Sequence, residues 1–246
     1  MKNVMCVLFV CLFAFAGYAQ SPSWVNFEIK TTPDKIPAII EAFTVFYATE
    51  TGKKTPMAVL TENTLGDQEQ CTHHMSFLSN DYSAISSMLS PTVWETNADW
   101  MQLGEAMGAI GVMPTLAFSG APIVQSQAYP DAQHGIQVIW ALDVQSFNDQ
   151  ESVVTGFATF VQQMQSYFDN TKMELSLHQH MAGDNRSIDY WILASHKDYA
   201  EYMQTMADMS TNENFLALMK AFGDAQNPMT IMRSVLKVWN APTSMD

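Results

Sequence analysis

One order of predicted elements occurs twice along this 246-residue chain, and it constrains the fold more than any other feature. From Trp24 to Phe118 the hydrophobic pattern predicts a strand, a helix, a hairpin of two strands, further helices and a strand. The same order returns between Gly135 and Trp239. This order is typical of a ferredoxin-like (βαββαβ) unit, in which the helices cover one face of a four-stranded sheet. We therefore expect an α+β protein of two tandem ferredoxin-like units, packed sheet to sheet as a pseudo-dimeric α+β barrel.

The same pattern predicts where the parts of the chain begin and end. Gly, Ala, Pro, Ser and Gln dominate the stretch between the two copies, which indicates a linker. The predicted parts are a signal peptide (1–19), a first repeat (20–119), the linker (120–134), a second repeat (135–240) and a tail (241–246).

The first 19 residues have the composition of a secretory signal. Lys2 precedes an apolar run, and the run ends in small residues at Ala19. Cys11 follows Val10, whereas a lipid anchor needs a small residue before the cysteine. Cleavage after Ala19 leaves Cys71 as the one cysteine, so no internal disulfide can form, which fits a bacterial periplasm. We expect a periplasmic or secreted protein.

The charge of the chain disfavours some partners. Asp and Glu number 25 against 11 Lys and Arg, which gives a formal net charge of −14. Nucleic acids and anionic membrane surfaces would repel such a protein. No stretch after the leader reaches the ~18 apolar residues of a membrane span. We expect a monomer or a homodimer whose partner is a small apolar or aromatic molecule.

The segment 173–181 (MELSLHQHM) alternates between apolar and polar residues, as a half-buried strand does. Leu175 and Leu177 then lie on the helix-covered face. The opposite face, which we expect to line the space between the sheets, carries four polar residues: Glu174, Ser176, His178 and His180. His178 and His180 would suit a transition metal, with Glu174 as a further ligand. Paired histidines at such a position are also commonly just hydrogen-bonded or solvated, and both alternatives stay open.

Further candidates lie on other predicted strands. Val25, Phe27 and Ile29 face the helices in the first strand, which leaves Trp24, Asn26 and Glu28 on the other face. Asp189 and Trp191 occupy the matching face in the second half. These five side chains form either a pocket for a flat aromatic ligand or ordinary packing between two sheets.

Sulfur-containing side chains offer two other patterns, and for both we expect packing in the core. Cys71 shares a strand face with His73 and Met75, and if this face is the one that contacts the helices, these residues are core packing. Three methionines are spaced three residues apart on one helix, a spacing that would suit cuprous copper but also forms one stripe toward the sheet. They are Met203, Met206 and Met209.

The element order and the strand-to-helix stretches 77–89 and 193–206 give the sequence a family resemblance. It resembles the dimeric α+β barrel superfamily, in particular an antibiotic-biosynthesis monooxygenase-like domain in tandem duplication. The resemblance implies either a cofactor-independent oxygenase of polyketide quinols, a haem-degrading enzyme, or a protein without known activity. Haem-degrading members use an Asn, a Trp and a helical His. Asn26 and Trp94 match the first two, and no His follows Trp94 before the linker.

These observations predict an exported barrel protein that uses the cavity between its sheets without an organic cofactor. It would bind a small molecule or act as a cofactor-independent, monooxygenase-like enzyme. Two alternatives stay open. One is a non-catalytic structural or interaction module, and the other is a metal-handling periplasmic protein that uses His178 and His180.

Overall fold

The computed structural model describes residues 22–66, 71–126, 135–183 and 187–241. The predicted signal peptide, most of the predicted linker and nearly all of the predicted tail lie outside these ranges.

Eight antiparallel strands close into a single barrel, in the ring order β1-β3-β2-β8-β5-β7-β6-β4. Each strand presents alternate residues to the interior of the barrel and to the helices outside it. The strands are β1 (Ser23–Ile29), β2 (Met57–Leu65), β3 (His73–Ser79), β4 (Thr115–Gln125), β5 (Ile136–Leu142), β6 (Glu174–Gly183), β7 (Tyr190–His196) and β8 (Thr230–Trp239).

Closure of the ring contradicts the predicted fold class. Two tandem ferredoxin-like units packed sheet to sheet would keep two separate sheets with free edges, and that prediction is wrong. In the structure β2 pairs with β8 and β4 pairs with β6, so the strands of both halves form one hydrogen-bonded surface. Closure removes every free edge, and unpaired N–H and C=O groups at an edge are unfavourable. The fold is an α+β barrel with one continuous interior.

Strand β4 runs further than the sequence suggested. It continues to Gln125 and so includes residues 120–125, which the sequence analysis assigned to the linker. Proline at position 122 does not interrupt the pairing with β6, because the register shifts between Pro122 and Val124. Such irregularities are a usual way for a strand to accommodate proline.

Eight α-helices surround the described part of the barrel. They are α1 (Ile36–Ala48), α2 (Tyr82–Leu89), α3 (Pro91–Thr96), α4 (Ala98–Ile110), α5 (Phe147–Gln163), α6 (Gln165–Thr171), α7 (Tyr199–Met209) and α8 (Glu213–Ala221). Side-chain caps define several N-termini. The Asn97 amide oxygen accepts from two backbone N–H groups of α4, and Asn212 does the same for α8.

Two apolar layers hold the helices on the barrel. In the first half, Val25 and Ile29 pack against helix residues such as Phe43 and Leu103. In the second half, Leu175 and Leu177 pack under residues of α5 and α6. The outward orientation predicted for these four strand residues is therefore observed.

Within the described residues, none of the helices combines the length and apolar composition that crossing a bilayer requires.

The methionine stripe on α7 does not pack as predicted. Met209 is buried, but Met203 and Met206 are 50% and 38% exposed. The prediction that all three methionines face the core is wrong for these two, because the buried residues of α7 are Thr205 and Met209.

Candidate functional site

An internal cavity of about 60 Å³ lies inside the barrel, and all eight strands contribute side chains to its wall. One part of the barrel interior is an apolar plug that includes Phe118, Ile139, Trp191 and Ile231. The rest of the cavity wall combines apolar side chains such as Val59, Leu78 and Leu193 with polar ones. The space is enough for a few water molecules and well below the roughly 300–1,000 Å³ of a site for a drug-sized ligand.

Three polar residues of β6 form a hydrogen-bonded chain on the inner face of the barrel, because alternate residues of a strand point the same way. Two of them, Glu174 and His178, lie on the cavity wall. The Ser176 hydroxyl lies 2.7 Å from His178 Nε2 and 3.4 Å from Glu174 Oε1. Ser195 of β7 donates to the other carboxyl oxygen, Oε2, at 3.3 Å. Glu174, Ser176 and His178 are all buried, so the chain is screened from water.

The hydrogen bonds define the tautomer of His178. Its Nδ1 accepts from the indole N–H of Trp24 at 2.9 Å, so the proton of the neutral ring is on Nε2. Nε2–H then donates to Ser176, and the Ser176 hydroxyl donates to Glu174. All donors therefore point in one direction, from Trp24 through His178 and Ser176 to the carboxyl group. We call Glu174, Ser176 and His178 the interior relay.

Burial changes the proton affinity at both ends of the interior relay. Loss of hydration raises the pKa of Glu174 to about 7, although hydrogen bonds from Ser195 and Ser176 lower it in part. Burial lowers the pKa of His178 to about 3, so this ring is neutral at physiological pH. A carboxyl group with a pKa near 7 exchanges its proton readily at neutral pH, which is the property of a general acid or base.

Trp24 covers the cavity side of His178 and depends on a glycine for its position. A Cβ atom on Gly120 of β4 would lie 2.5 Å from the Trp24 ring. The indole ring also contacts Phe118 edge to face, with centroids 5.6 Å apart. Trp24 is half-buried, so it lies between the interior relay and the outside of the barrel.

Trp191 and His180 form a second indole–imidazole pair on the neighbouring strands. Trp191 stacks on Phe118 with centroids 4.4 Å apart, and its indole N–H donates to His180 Nδ1 at 3.0 Å. Trp191 is on the cavity wall, and His180 lies behind it, away from the wall. The predicted ligand-binding residues Trp24, Asn26, Glu174, His178 and Trp191 are thus brought together at one cavity.

Besides His180, two more of the predicted residues lie away from the cavity wall. The Asp189 carboxylate accepts from the Val144 N–H at 2.7 Å and from the Gln150 side chain at 3.2 Å. Asp189 therefore ties the end of β5 to the start of α5 and is not on the cavity wall. Glu28 is also away from the wall, although it has the inward parity of β1.

Glu28 instead lies beside Cys71 and His74, and possible metal-ligating atoms of these three residues are all within 4.8 Å of one another. Cys71 is buried, as predicted for core packing, but it precedes β3 and lies beside His74 rather than on the face of His73. Burial raises the pKa of the Cys71 thiol to about 11, so the thiol is protonated as it stands.

The metal site predicted at His178 and His180 has little support in this geometry. Both nitrogens of His178 are in hydrogen bonds, and a metal would have to displace Trp24 or Ser176. The haem-binding match also weakens, since the Trp94 indole donates to the Met88 carbonyl and packs on Trp100, away from the cavity. The residues present do not fit the haem-degrading pattern.

Arg233 of β8 is the principal cavity residue that the sequence analysis missed. Its Nε donates to Gln137 Oε1 at 2.8 Å, and both side chains are on the cavity wall. Two features of the sequence could have identified Arg233. It is a charged residue inside an apolar strand, and it is one of only two arginines in the chain. Ser195 was also missed, because a buried serine carries no distinctive pattern.

Comparison with known proteins gives a likeness of fold. No family model matches the sequence, and no curated protein matches it. Among solved structures, a presumed monooxygenase from Lactobacillus acidophilus NCFM superposes with a TM-score of 0.59 at 6% identity, over 89% of this chain and 96% of that one. A presumed monooxygenase from Fusobacterium nucleatum subsp. nucleatum gives 0.54 at 16% identity, over 91% and 95%. An anthrone oxidase-like protein gives 0.54 at 9% identity, over 92% and 98%.

These likenesses show the fold alone, an α+β barrel that the chain shares with these proteins. At such low identities they carry no statement about activity. The predicted tandem duplication of an antibiotic-biosynthesis monooxygenase-like domain is not confirmed.

Proposed function

We propose that this chain is an exported, oxygenase-like barrel protein that binds a small molecule in the interior cavity and exchanges a proton with it through Glu174. One observation carries the proposal. A fully buried carboxyl group with a pKa of about 7 lies on the cavity wall and is bonded to a directional relay. Structures that superpose on this fold include presumed monooxygenases and an anthrone oxidase-like protein, which supports the oxygenase-like part.

The proposed chemistry needs a base and dioxygen. Ionised Glu174 accepts a proton from an acidic C–H or O–H group of the ligand, and the carbanion or phenolate that remains is electron-rich enough to react with O₂. For a methylene substrate, one oxygen atom enters the product ketone and the other leaves as water with both methylene hydrogens. Ser176 and His178 orient the carboxyl group, and the apolar plug keeps bulk water from the reactive anion.

Cavity size limits the substrate. The space of about 60 Å³ cannot hold a fused aromatic ring system while Trp24 lies across it. Trp24 therefore has a second proposed role: its side chain rotates out of the cavity when a larger ring enters. This rotation would break its bond to His178 and free Nδ1 of that ring to accept a hydrogen bond from the ligand.

Oxygen uptake with a panel of small phenols, hydroquinones and anthrone-type methylene compounds tests this function. Wild-type protein should consume O₂ with at least one class, and Glu174→Gln should lower the rate by at least about 100-fold, in line with loss of a general base. Glu41→Gln is the matched control, because Glu41 is exposed on α1, outside the cavity. No uptake with any substrate class, or equal uptake by Glu174→Gln, would rule the function out.

The small cavity favours a second candidate, a non-catalytic structural or interaction module. Aromatic rings already fill much of the barrel interior. A metal-handling function has its geometric support at Glu28, Cys71 and His74 rather than at His178 and His180. Metal analysis of the purified protein and of Cys71→Ser separates that alternative, since a metal bound there should be lost in the variant.

A further inference from the structure

A buried positive charge lies on the cavity wall without a negative partner among the residues that the structure describes. Arg233 is 7% exposed. Its Nε donates to Gln137, but Nη1 has no hydrogen-bond partner within the described part of the chain. No described carboxylate is within ion-pair distance of it, in a protein that carries 25 acidic residues. An unpaired buried cation is strongly unfavourable, so an anion bound beside Arg233 would lower the free energy of this side chain.

Asn26 presents a second unused donor to the same cavity. It is 1% exposed, and its Oδ1 accepts from the Ser76 hydroxyl at 2.6 Å. This bond orients the amide, so the nitrogen is left as the free end. Nδ2 has no hydrogen-bond partner among the described residues. Asn26 and Arg233 come from β1 and β8, and both are on the cavity wall.

The rest of the wall does not oppose an anion. Besides Arg233, the titratable side chains on it are Glu174 and His178. Burial keeps His178 neutral, and it raises the pKa of Glu174 to about 7, so that this carboxyl group is uncharged on the acid side of neutrality. Arg233 thus carries the one full charge of the wall under those conditions.

We propose that the cavity binds the carboxylate group of a small organic acid, whose oxygens accept hydrogen bonds from Arg233 Nη1 and Asn26 Nδ2. A carboxylate accepts from several donors at once, and guanidinium is its preferred partner. The volume of about 60 Å³ suits a carboxylate with one or two carbon atoms, or the acid end of a longer ligand. This inference rests on the proposed function in one respect, because it takes the same cavity as the ligand site.

Acetate and its neutral analogue acetamide are the probes. Purified protein at pH 6 is titrated with each in a calorimeter, and its thermal midpoint is followed as a second readout. Acetate should bind and raise the midpoint with concentration, as a ligand of the native state does, and acetamide should not. Arg233→Met should weaken acetate binding by at least about tenfold, because a charge-assisted hydrogen bond is lost.

Matched variants make the result specific. Lys237→Met removes one positive charge from an exposed position of the same strand and should bind acetate like wild type. Asn26→Ala keeps Arg233 and should weaken binding several-fold, which covers the case that Arg233→Met does not fold. Ligand-free Arg233→Met should melt no lower than wild type, because it removes an unpaired buried charge.

Two outcomes overturn the inference: no acetate binding by wild type, or equal binding by wild type, Arg233→Met and Asn26→Ala. Glu174→Gln separates the inference from the proposed function. It should still bind acetate while it loses oxygen uptake. Acetate binding without oxygen uptake by wild type would contradict the proposed function alone.

Discussion

On its outer face the barrel buries Leu175 and Leu177 under helices, whereas the residues between and beside them on the inner face are Glu174, Ser176 and His178. The outer layers consist mainly of apolar side chains, although His73 on the same face has a buried Nε2 without a hydrogen-bond partner among the described residues. The inner wall contains a neutral buried histidine, a carboxyl group with a raised pKa and an arginine with an unused donor. The strand residues of both faces are buried, so burial alone does not explain the difference in polarity between the two faces.

The comparison separates what stabilises the protein from what a ligand would use. Apolar burial on the outer face contributes favourable free energy, at roughly 25 cal/mol per Å². Polar groups on the inner face recover in hydrogen bonds only part of what they lose on leaving water. Buried polar side chains that add little to stability are typical of a ligand-binding site, and so are buried polar side chains without hydrogen-bond partners.

The largest expected effect concerns two neighbours on β6. Leu177 is fully buried on the outer face, and Leu177→Ala should lower the free energy of unfolding by about 2–5 kcal/mol through lost burial and a cavity. Ser176→Ala, one residue away on the inner face, should cost less, about 1–3 kcal/mol, because it leaves the buried His178 Nε2–H without its acceptor. Urea denaturation measures both. Equal costs would show that the inner face is a structural core like the outer one.

A smaller effect is expected at the glycine beneath Trp24. Gly120→Ala places a methyl group 2.5 Å from the indole ring, so Trp24 must move away from His178. The expected cost is about 1–3 kcal/mol, as for overpacking elsewhere. Binding of ring-sized ligands should improve, because the cavity opens.

Gly108→Ala in α4 is the control for that substitution. Its Cβ would meet no atom within 4 Å, and alanine should stabilise a helix interior by about 0.5–1 kcal/mol. If Gly120→Ala behaved like Gly108→Ala in stability and in ligand binding, Trp24 would not be the side chain that closes the cavity.

Strand alternation was enough to predict which residues of β1 and β6 point inward. It correctly brought Trp24, Asn26, Glu174 and His178 to one space. Alternation gave the inward parity of Glu28 correctly, but it does not say how far along the barrel a residue lies, and Glu28 lies beside Cys71 and His74 rather than at the cavity. Alternation does not apply to Asp189, because it precedes the first residue of β7, and its carboxylate binds the Val144 N–H instead.

Closure of the barrel could not be predicted from local pattern. The pairs that close it, β2 with β8 and β4 with β6, join segments far apart in the chain. Their pairing depends on strand tilt and register, which a hydrophobic pattern does not encode. Arg233 was missed for the same reason, because its inward position and its partner Gln137 follow from the pairing of β8 with β5.

The most direct test of the account is the titration of Glu174 itself, followed by the infrared band of its protonated carboxyl group in wild type minus Glu174→Gln. Because burial raises this pKa, the group should be protonated below pH 7, half ionised at about pH 7 and ionised above it. The account predicts a difference band that disappears with a midpoint near pH 7. A midpoint at the ordinary glutamate value of 4.5 would contradict it, and would show that Glu174 is a solvated side chain rather than the proton-exchanging group of an interior site.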